Sequence, residues 1–143
     1  MYHLENGMFM EEPDFDKFVY PEIKILNCSN HTLNREQLED LNKYFPENTV
    51  KIVELSEELK RKWSQLTPWD YKSTVKDILD MCDEEKINYI HLAGFMPAVH
   101  EMINYGGYKH FMYSYTERVS EEKEVDEKTI KTTVFKHQGW FEY

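Results

Sequence analysis

Apolar and polar positions along the chain change repeatedly between the period of a strand and the period of a helix. Ile23 to Cys28 is an apolar, partly β-branched run, which is typical of a buried strand. A helical pattern follows from Arg35 to Tyr44, with Asn34 as its predicted N-cap and Pro46 as its stop. Thr49 to Leu55 alternates again and is predicted to form the second strand.

The same two periods continue through the middle of the chain. The predicted elements are, in order, a short helix opening at Ser56, a longer helix with an apolar stripe from Tyr71 to Cys82, a strand from Asn88 to Leu92, a helix starting near Pro97, and a strand from His110 to Tyr115. Strands that alternate with helices favour a mostly parallel sheet covered on both faces and joined by right-handed crossovers.

The pattern changes after Thr116. Glu117 to Val125 and Thr129 to Lys136 flank Asp126-Glu127-Lys128, which predicts a C-terminal β-hairpin. The predicted fold is therefore α/β, with three layers, a mostly parallel sheet and this hairpin as its extension.

Length and composition fit one domain. The chain has 143 residues, of which 41% are hydrophobic, enough for one core and too few for two. Residues 1–22 are acidic and irregular and are interpreted as an N-terminal extension, with residues 23–143 as the domain. Without a signal-like or membrane-spanning apolar run, the protein is expected to be cytoplasmic, with Cys28 and Cys82 as buried thiols.

Charge and motifs narrow the functional classes. A net charge of −10 argues against binding long nucleic acid but leaves a small anionic ligand in one shielded pocket possible. The sequence contains no GxGxxG, Walker A, HExxH, paired CxxC or GxSxG motif. Neither a metal site nor a cofactor is predicted, and any chemistry must come from a constellation of side chains.

The first candidate constellation follows the first strand. Ser29, Asn30 and His31 offer a hydroxyl, an amide and an imidazole where α/β folds bind ligands, beside a helix N-terminus that favours anions. The alternative is that they are turn and capping residues. Arg118 ends a predicted strand next to the hydroxyl of Thr116, and its alternative is a surface ion pair.

For the remaining polar and aromatic candidates, a purely structural role is an alternative to a functional one. Lys136 and His137 could be ligand donors or could guard an edge strand. His91 and His100 are interpreted as packed or surface histidines rather than metal ligands or catalytic groups. The three tryptophans are expected in the core.

The order of several segments resembles the small stand-alone CRISPR-associated ring nucleases. The similar segments are the strand running into Ser29-Asn30-His31, the stretch from Ser56 to Trp63, the turn at Gly94, the stretch from Thr116 to Val119, and the ending from Phe135 to Tyr143. The resemblance covers Ile23 to Tyr143 and leaves residues 1–22 outside it.

This resemblance implies a Rossmann-like homodimer that holds a cyclic oligoadenylate, the tetra- or hexa-adenylate, across its two-fold axis. Proteins of this kind cut the ring without a metal and thereby end CRISPR antiviral signalling. A ribose 2′-hydroxyl attacks the adjacent phosphate, so the protein must mainly orient the ring and stabilise charge.

Site residues are carried over by position. Ser29, His31 and Arg118 would be catalytic, and the residues that bind the ligand would be Asn30, Gly94, Thr116, Lys136 and His137. The chain departs from the family pattern at Ala93-Gly94-Phe95, Glu117 and Gln138-Gly139-Trp140, each time losing a polar or positive group. Two alternatives therefore stay open: a non-catalytic sensor or sponge, and a protein–protein interaction subunit without a nucleotide ligand.

Overall fold

Five strands and four helices make up the part of the chain that the computed structural model describes, residues 22–143. They are β1 Glu22–Cys28, α1 Arg35–Tyr44, β2 Thr49–Glu54, α2 Glu57–Ser64, α3 Tyr71–Glu85, β3 Tyr89–Leu92, α4 Met96–Tyr105, β4 His110–Val125 and β5 Lys128–Glu142. The predicted N-terminal extension, apart from its last residue, lies outside the described residues. No helix in the described range is long and apolar enough to cross a membrane.

The five strands form one sheet in the order β2-β1-β3-β4-β5. β1 runs parallel to both β2 and β3, β3 runs parallel to β4, and β5 is antiparallel to β4. The predicted α/β fold, with its mostly parallel sheet and C-terminal hairpin, is confirmed. In this Rossmann-like order the chain changes direction across the sheet between β1 and β3, and such switch points open a crevice at the carboxyl ends of the strands.

Helices cover both faces of the sheet. Ile25 and Leu26 are fully buried neighbours on β1, and they point to opposite faces because successive strand residues alternate. Ile25 packs in the cluster that holds Leu41 of α1, whereas Leu26 packs with residues of α2, α3 and α4. Cys28 and Cys82 are buried free thiols, as predicted.

The start of α1 is fixed by a capping box. The Asn34 side chain accepts from the backbone N–H of Gln37 at 2.9 Å, and the Gln37 side chain accepts from the N–H of Asn34 at 2.8 Å. The predicted N-cap is thus confirmed. The amide nitrogen of Gln37 also donates to Ser114 Oγ at 3.1 Å, which ties the first turn of α1 to β4.

β4 is one continuous strand, whereas the sequence predicted a strand from His110 to Tyr115 and a separate hairpin arm from Glu117 to Val125. The division at Thr116 was wrong because a register shift between Tyr115 and Thr116 absorbs the irregularity without ending the ladder. The hairpin turns at Asp126 and Glu127, whose φ angles of 52° and 64° fit the two-residue turn that matches strand twist.

Candidate functional site

Asn27, near the carboxyl end of β1, is the centre of a buried hydrogen-bond network. Its Oδ1 accepts from the hydroxyl of Ser29 at 2.7 Å and lies 2.9 Å from Nδ1 of His91. Its Nδ2 donates to the carbonyl of His31 at 2.8 Å and to the Glu54 carboxylate at 3.2 Å. Asn27 is only 2% exposed, so its amide joins β1, β2, β3 and the loop after β1 in the interior.

The network divides the predicted triplet into an anchor and two exposed members. Ser29 is buried, and besides its contact with Asn27 its hydroxyl lies 3.0 Å from the carbonyl of His31 and accepts from the N–H of His31 at 3.3 Å. The side chains of Asn30 and His31 are exposed. Ser29 therefore holds the loop in place, whereas Asn30 and His31 face solvent at the carboxyl edge.

His91 is buried on β3 with its ring edge-on to Trp140, at 5.1 Å between ring centroids. Burial lowers the pKa of His91 to about 4, and the positive charges of His137 and His31 act in the same direction. The imidazole is therefore neutral at neutral pH. The predicted packing of His91 is confirmed, and the network around it gives the ring a defined orientation.

A second network fixes the base of the hairpin to α1. Nε2 of His137 lies 2.8 Å from Oδ2 of Asp40, and Nδ1 of His137 makes a short hydrogen bond with the hydroxyl of Ser114. The indole N–H of Trp140 donates to the carbonyl of Gln37 at 3.0 Å. The side chain of His137 is 3% exposed, so its two ring nitrogens are committed to structural partners.

Three histidines converge where the two networks meet. Trp140 contacts the rings of both His91 and His137, the latter at 5.3 Å between centroids. His31 and His137 are both close enough to His91 to influence its pKa. The fold thus brings together imidazoles from the loop after β1, from β3 and from β5, of which His31 alone has an exposed side chain.

The turn at Gly94 is packed against Trp63. A Cβ at Gly94 would lie 2.8 Å from Nε1 of Trp63, and the φ of 152° is one that L-residues rarely adopt. The indole N–H of Trp63 donates to the carbonyl of Ala93 at 2.9 Å, and the N–H of Ala93 donates to the carbonyl of Cys28 at 3.1 Å. The turn therefore lies beside the loop that follows β1.

The predicted hairpin residues lie at increasing distance along the ribbon from the histidines. Thr116 is exposed and directly opposite His137 in the β4–β5 register. Arg118, two residues further along β4, lies with its guanidinium carbon 5.7 Å from the centroid of the Phe135 ring. It forms no ion pair with any described residue, so its cation is available to an external anion.

Lys136 is engaged by the opposite strand. Its ammonium lies 3.0 Å from the Glu121 carboxylate, and this hydrogen-bonded pair raises the pKa of Lys136. A surface cavity of about 360 Å³ beside it is lined by Glu36, Glu39, Asp40, Lys43, Lys136, His137 and Gln138. Three carboxylates against two ammonium groups give this cavity no net attraction for a phosphate.

Sequence reasoning missed Asn27, Glu54, Asp40 and Ser114. Asn27 stands inside an otherwise apolar strand, and a polar residue there is a signal for a buried hydrogen-bonded group. Asp40 and Ser114 gave no such signal because their partners are distant in sequence. Within residues 22–143, no group of three or more His, Cys, Asp or Glu side chains is arranged to hold a metal ion.

Comparison with known proteins places the chain in a family. The family model described as the uncharacterized protein MJ1673 family matches residues 23–141. The chain belongs to the MJ1673 family. No curated protein and no solved structure matches the sequence. The match to the MJ1673 family runs from β1 nearly to the end of β5, so both networks lie within the family's domain.

Proposed function

We propose that this member of the MJ1673 family binds a cyclic oligoadenylate, the tetra- or hexa-adenylate, and linearises it without a metal. The observation that carries the proposal is the network around Asn27, which holds the exposed His31 loop beside the buried His91 at the β1–β3 switch point. In the cytoplasm such a reaction would end CRISPR antiviral signalling, as the resemblance of the sequence to ring nucleases implies.

Exposed polar groups at this edge suit a phosphate-bearing ligand. His31 can donate a hydrogen bond to a phosphate from its exposed ring. The amide of Asn30 lies beside it, and the exposed Thr116 adjoins His137 from the hairpin. Because the chain has a net charge of −10, affinity for an anion must come from such short-range contacts rather than from long-range attraction.

The reaction needs few protein groups. The nucleophile, a ribose 2′-hydroxyl, already belongs to the ring and lies next to the phosphate that it attacks. The protein must hold an in-line geometry, stabilise the developing charge and transfer protons. An imidazole and a guanidinium, here from His31 and Arg118, can supply these functions.

The proposal includes a homodimer because a symmetric ring is most simply held by a two-fold interface that presents the same surface twice. An aromatic surface made of Tyr115, Phe141 and Tyr143 supports this, since its members are 46%, 50% and 52% exposed. The Tyr143 hydroxyl donates to the carbonyl of Leu92 at 2.6 Å, so this surface adjoins the carboxyl end of β3. These exposed rings lie beside the carboxyl ends of the strands, where the ligand is proposed to bind. An exposed apolar surface at this place is suited to contact with a second copy of the chain.

A second candidate function is a sensor or sponge that binds the ring without cutting it. The observation that favours it is the Ser29 hydroxyl, which is buried and used within the Asn27 network rather than directed at a ligand. Glu117 stands beside Arg118 where the ring-nuclease pattern has a positive group. This carboxylate also favours binding without cleavage, because it weakens stabilisation of the developing negative charge.

The test is to incubate the full chain with cyclic di-, tri-, tetra- and hexa-adenylate in the presence of chelator. Products are separated by chromatography, and affinity is measured in parallel by calorimetry. Linear product from the tetra- or hexa-adenylate is the expected result, and binding without product selects the sensor. Neither binding nor product overturns the nucleotide proposal and leaves the interaction-subunit alternative.

A further inference from the structure

The hydrogen bonds of Asn27 determine which nitrogen of His91 carries the proton. Two acceptors, the carbonyl of His31 and the carboxylate of Glu54, face one end of the Asn27 amide, so this end is the NH₂ group. Oδ1 must therefore face Ser29 and Nδ1 of His91. An acceptor at 2.9 Å requires a proton on Nδ1, which leaves the lone pair of the ring on Nε2.

Nε2 of His91 is available to a ligand. Among residues 22–143 it has no hydrogen-bond partner. Every fully buried side-chain nitrogen or oxygen in that part has one, so Nε2 retains a small exposed area, on a residue that is 6% exposed. The lowered pKa of His91, about 4, keeps this lone pair unprotonated at neutral pH.

We infer that His91, oriented by Asn27, is the general base that accepts the proton of the attacking ribose 2′-hydroxyl. This inference rests on the proposed function and names the catalytic group that the resemblance did not supply. Asn27 is then a positioning residue, because it holds the tautomer and the ring orientation without touching the substrate.

The step balances without water, metal or a redox partner. The 2′-hydroxyl proton moves to Nε2 of His91 as the bond from O2′ to phosphorus forms. The bond from phosphorus to O5′ breaks, and O5′ takes a proton from the imidazolium form of the exposed His31. The products are a 2′,3′-cyclic phosphate and a 5′-hydroxyl, and the two histidines exchange their protonation states for the next turnover.

The groups around His91 make its basicity depend on the ligand. His31 and His137 lower the affinity of His91 for a proton when they are charged, and the carboxylates of Glu54 and Asp40 each lie one hydrogen-bond partner away, through Asn27 and His137 respectively. A phosphate at the edge adds a negative charge beside these groups. His91 should therefore become a stronger base when the ring is bound, which is when the proton must be taken.

The experiment compares the parent, His91→Gln and the matched control His100→Gln, whose histidine is exposed on α4. Single-turnover rates of linearisation are measured with chelator between pH 4 and 8, together with affinity for the ring. His91→Gln should be slower by about 10²- to 10⁴-fold, with a Kd within about threefold of the parent and without the acidic limb of the pH–rate profile. His100→Gln should match the parent.

The outcomes separate this inference from the proposed function. A parent that cuts none of the rings overturns both. A cutting parent with a His91→Gln rate within about threefold, or with rate and affinity lost together, overturns the role of His91 alone. Imidazole ¹⁵N NMR of the unliganded parent at pH 7 should show the Nδ1–H tautomer for His91. An Nε2–H signal there overturns the inference, whether or not the variant folds.

Discussion

Asn27 of β1 and His91 of β3 are register partners in the parallel sheet, and Oδ1 of one lies 2.9 Å from Nδ1 of the other. Both side chains are buried, so each satisfies a polar group that would otherwise be costly in the interior. The pair therefore joins the two strands that flank the switch point, where the candidate ligand edge lies.

Asn27→Leu should destabilise the protein by about 2–4 kcal/mol. It leaves the buried His91 Nδ1–H without its partner, which costs roughly 1–3 kcal/mol, and it also removes the hydrogen bonds from Asn27 to the carbonyl of His31 and to Glu54. Urea unfolding measures the change. Asn30→Leu, at an exposed neighbouring position, should stay within about 0.5 kcal/mol. Equal stability of the two variants would show that the Asn27 network contributes nothing to the fold.

Stability should depend on pH through His91. Its pKa is about 4 in the folded protein and 6.5 ordinarily, so between these values the unfolded chain binds more protons. This contribution is complete above pH 6.5 and is lost as pH falls to 4, by about 3 kcal/mol for a change of this size. Urea unfolding at pH 7.5 and 4.5 should show a smaller acid loss in His91→Gln than in the parent. The same loss in both would assign it to other groups.

Gly94→Ala should destabilise the fold by at least about 2 kcal/mol. The new Cβ would lie 2.8 Å from Nε1 of the buried Trp63, and the backbone has a φ of 152°. Gly107→Ala is the matched control, since φ is 64° there but open space surrounds the position, and it should cost about 1 kcal/mol. Thermal unfolding compares the two, and a Gly94→Ala variant as stable as Gly107→Ala would contradict the packing argument.

Periodicity was enough to predict the fold because each element carries its own signal. The helix at Arg35–Tyr44 and its Asn34 cap follow from local hydrogen bonding and spacing. The tryptophans show where this reasoning ends: Trp63 and Trp140 are buried as expected, but Trp69 is 90% exposed in the segment between α2 and α3. Burial of a single aromatic residue depends on tertiary contacts that a linear pattern does not contain.

The candidate site was predictable only in part. The loop Ser29-Asn30-His31 was located from its position after an apolar strand. The Asp40–His137 contact joins residues 97 positions apart, and no local pattern encodes it. The role of Ser29 in anchoring the loop was not predictable either. It depends on the orientation of the Asn27 amide, which is defined by tertiary packing.

The Asp40–His137 contact should show energetic coupling. The His137 side chain is 3% exposed and that of Asp40 is 34% exposed, so solvent screens this pair only in part. A double-mutant cycle with Asp40→Asn and His137→Gln, measured by urea unfolding, should give about 1–2 kcal/mol. The control cycle on Arg35 and Glu39, exposed at 91% and 59%, should give at most about 0.5 kcal/mol. Equal coupling energies would contradict a stabilising role for the buried contact.

His31→Ala and Arg118→Ala should each lower the affinity for the ring or the rate of its cleavage. Both should leave the fold intact, because both side chains are exposed. Loss of one charge-assisted contact costs roughly 1.5–3 kcal/mol, which is about ten- to a hundredfold in affinity or rate. Arg35→Ala, which removes an exposed cation from α1, is the control and should behave like the parent. Variants that melt and act like the parent would place the site elsewhere.

The most direct test of the account is the mass of the first product formed from cyclic tetra- or hexa-adenylate in H₂¹⁸O with chelator. Attack by a ribose 2′-hydroxyl uses no water, so the first product should be a linear oligoadenylate with an unlabelled 2′,3′-cyclic phosphate. An ¹⁸O atom in the phosphate of that first product would contradict the mechanism. No product from either ring would contradict the proposal that this protein is a ring nuclease.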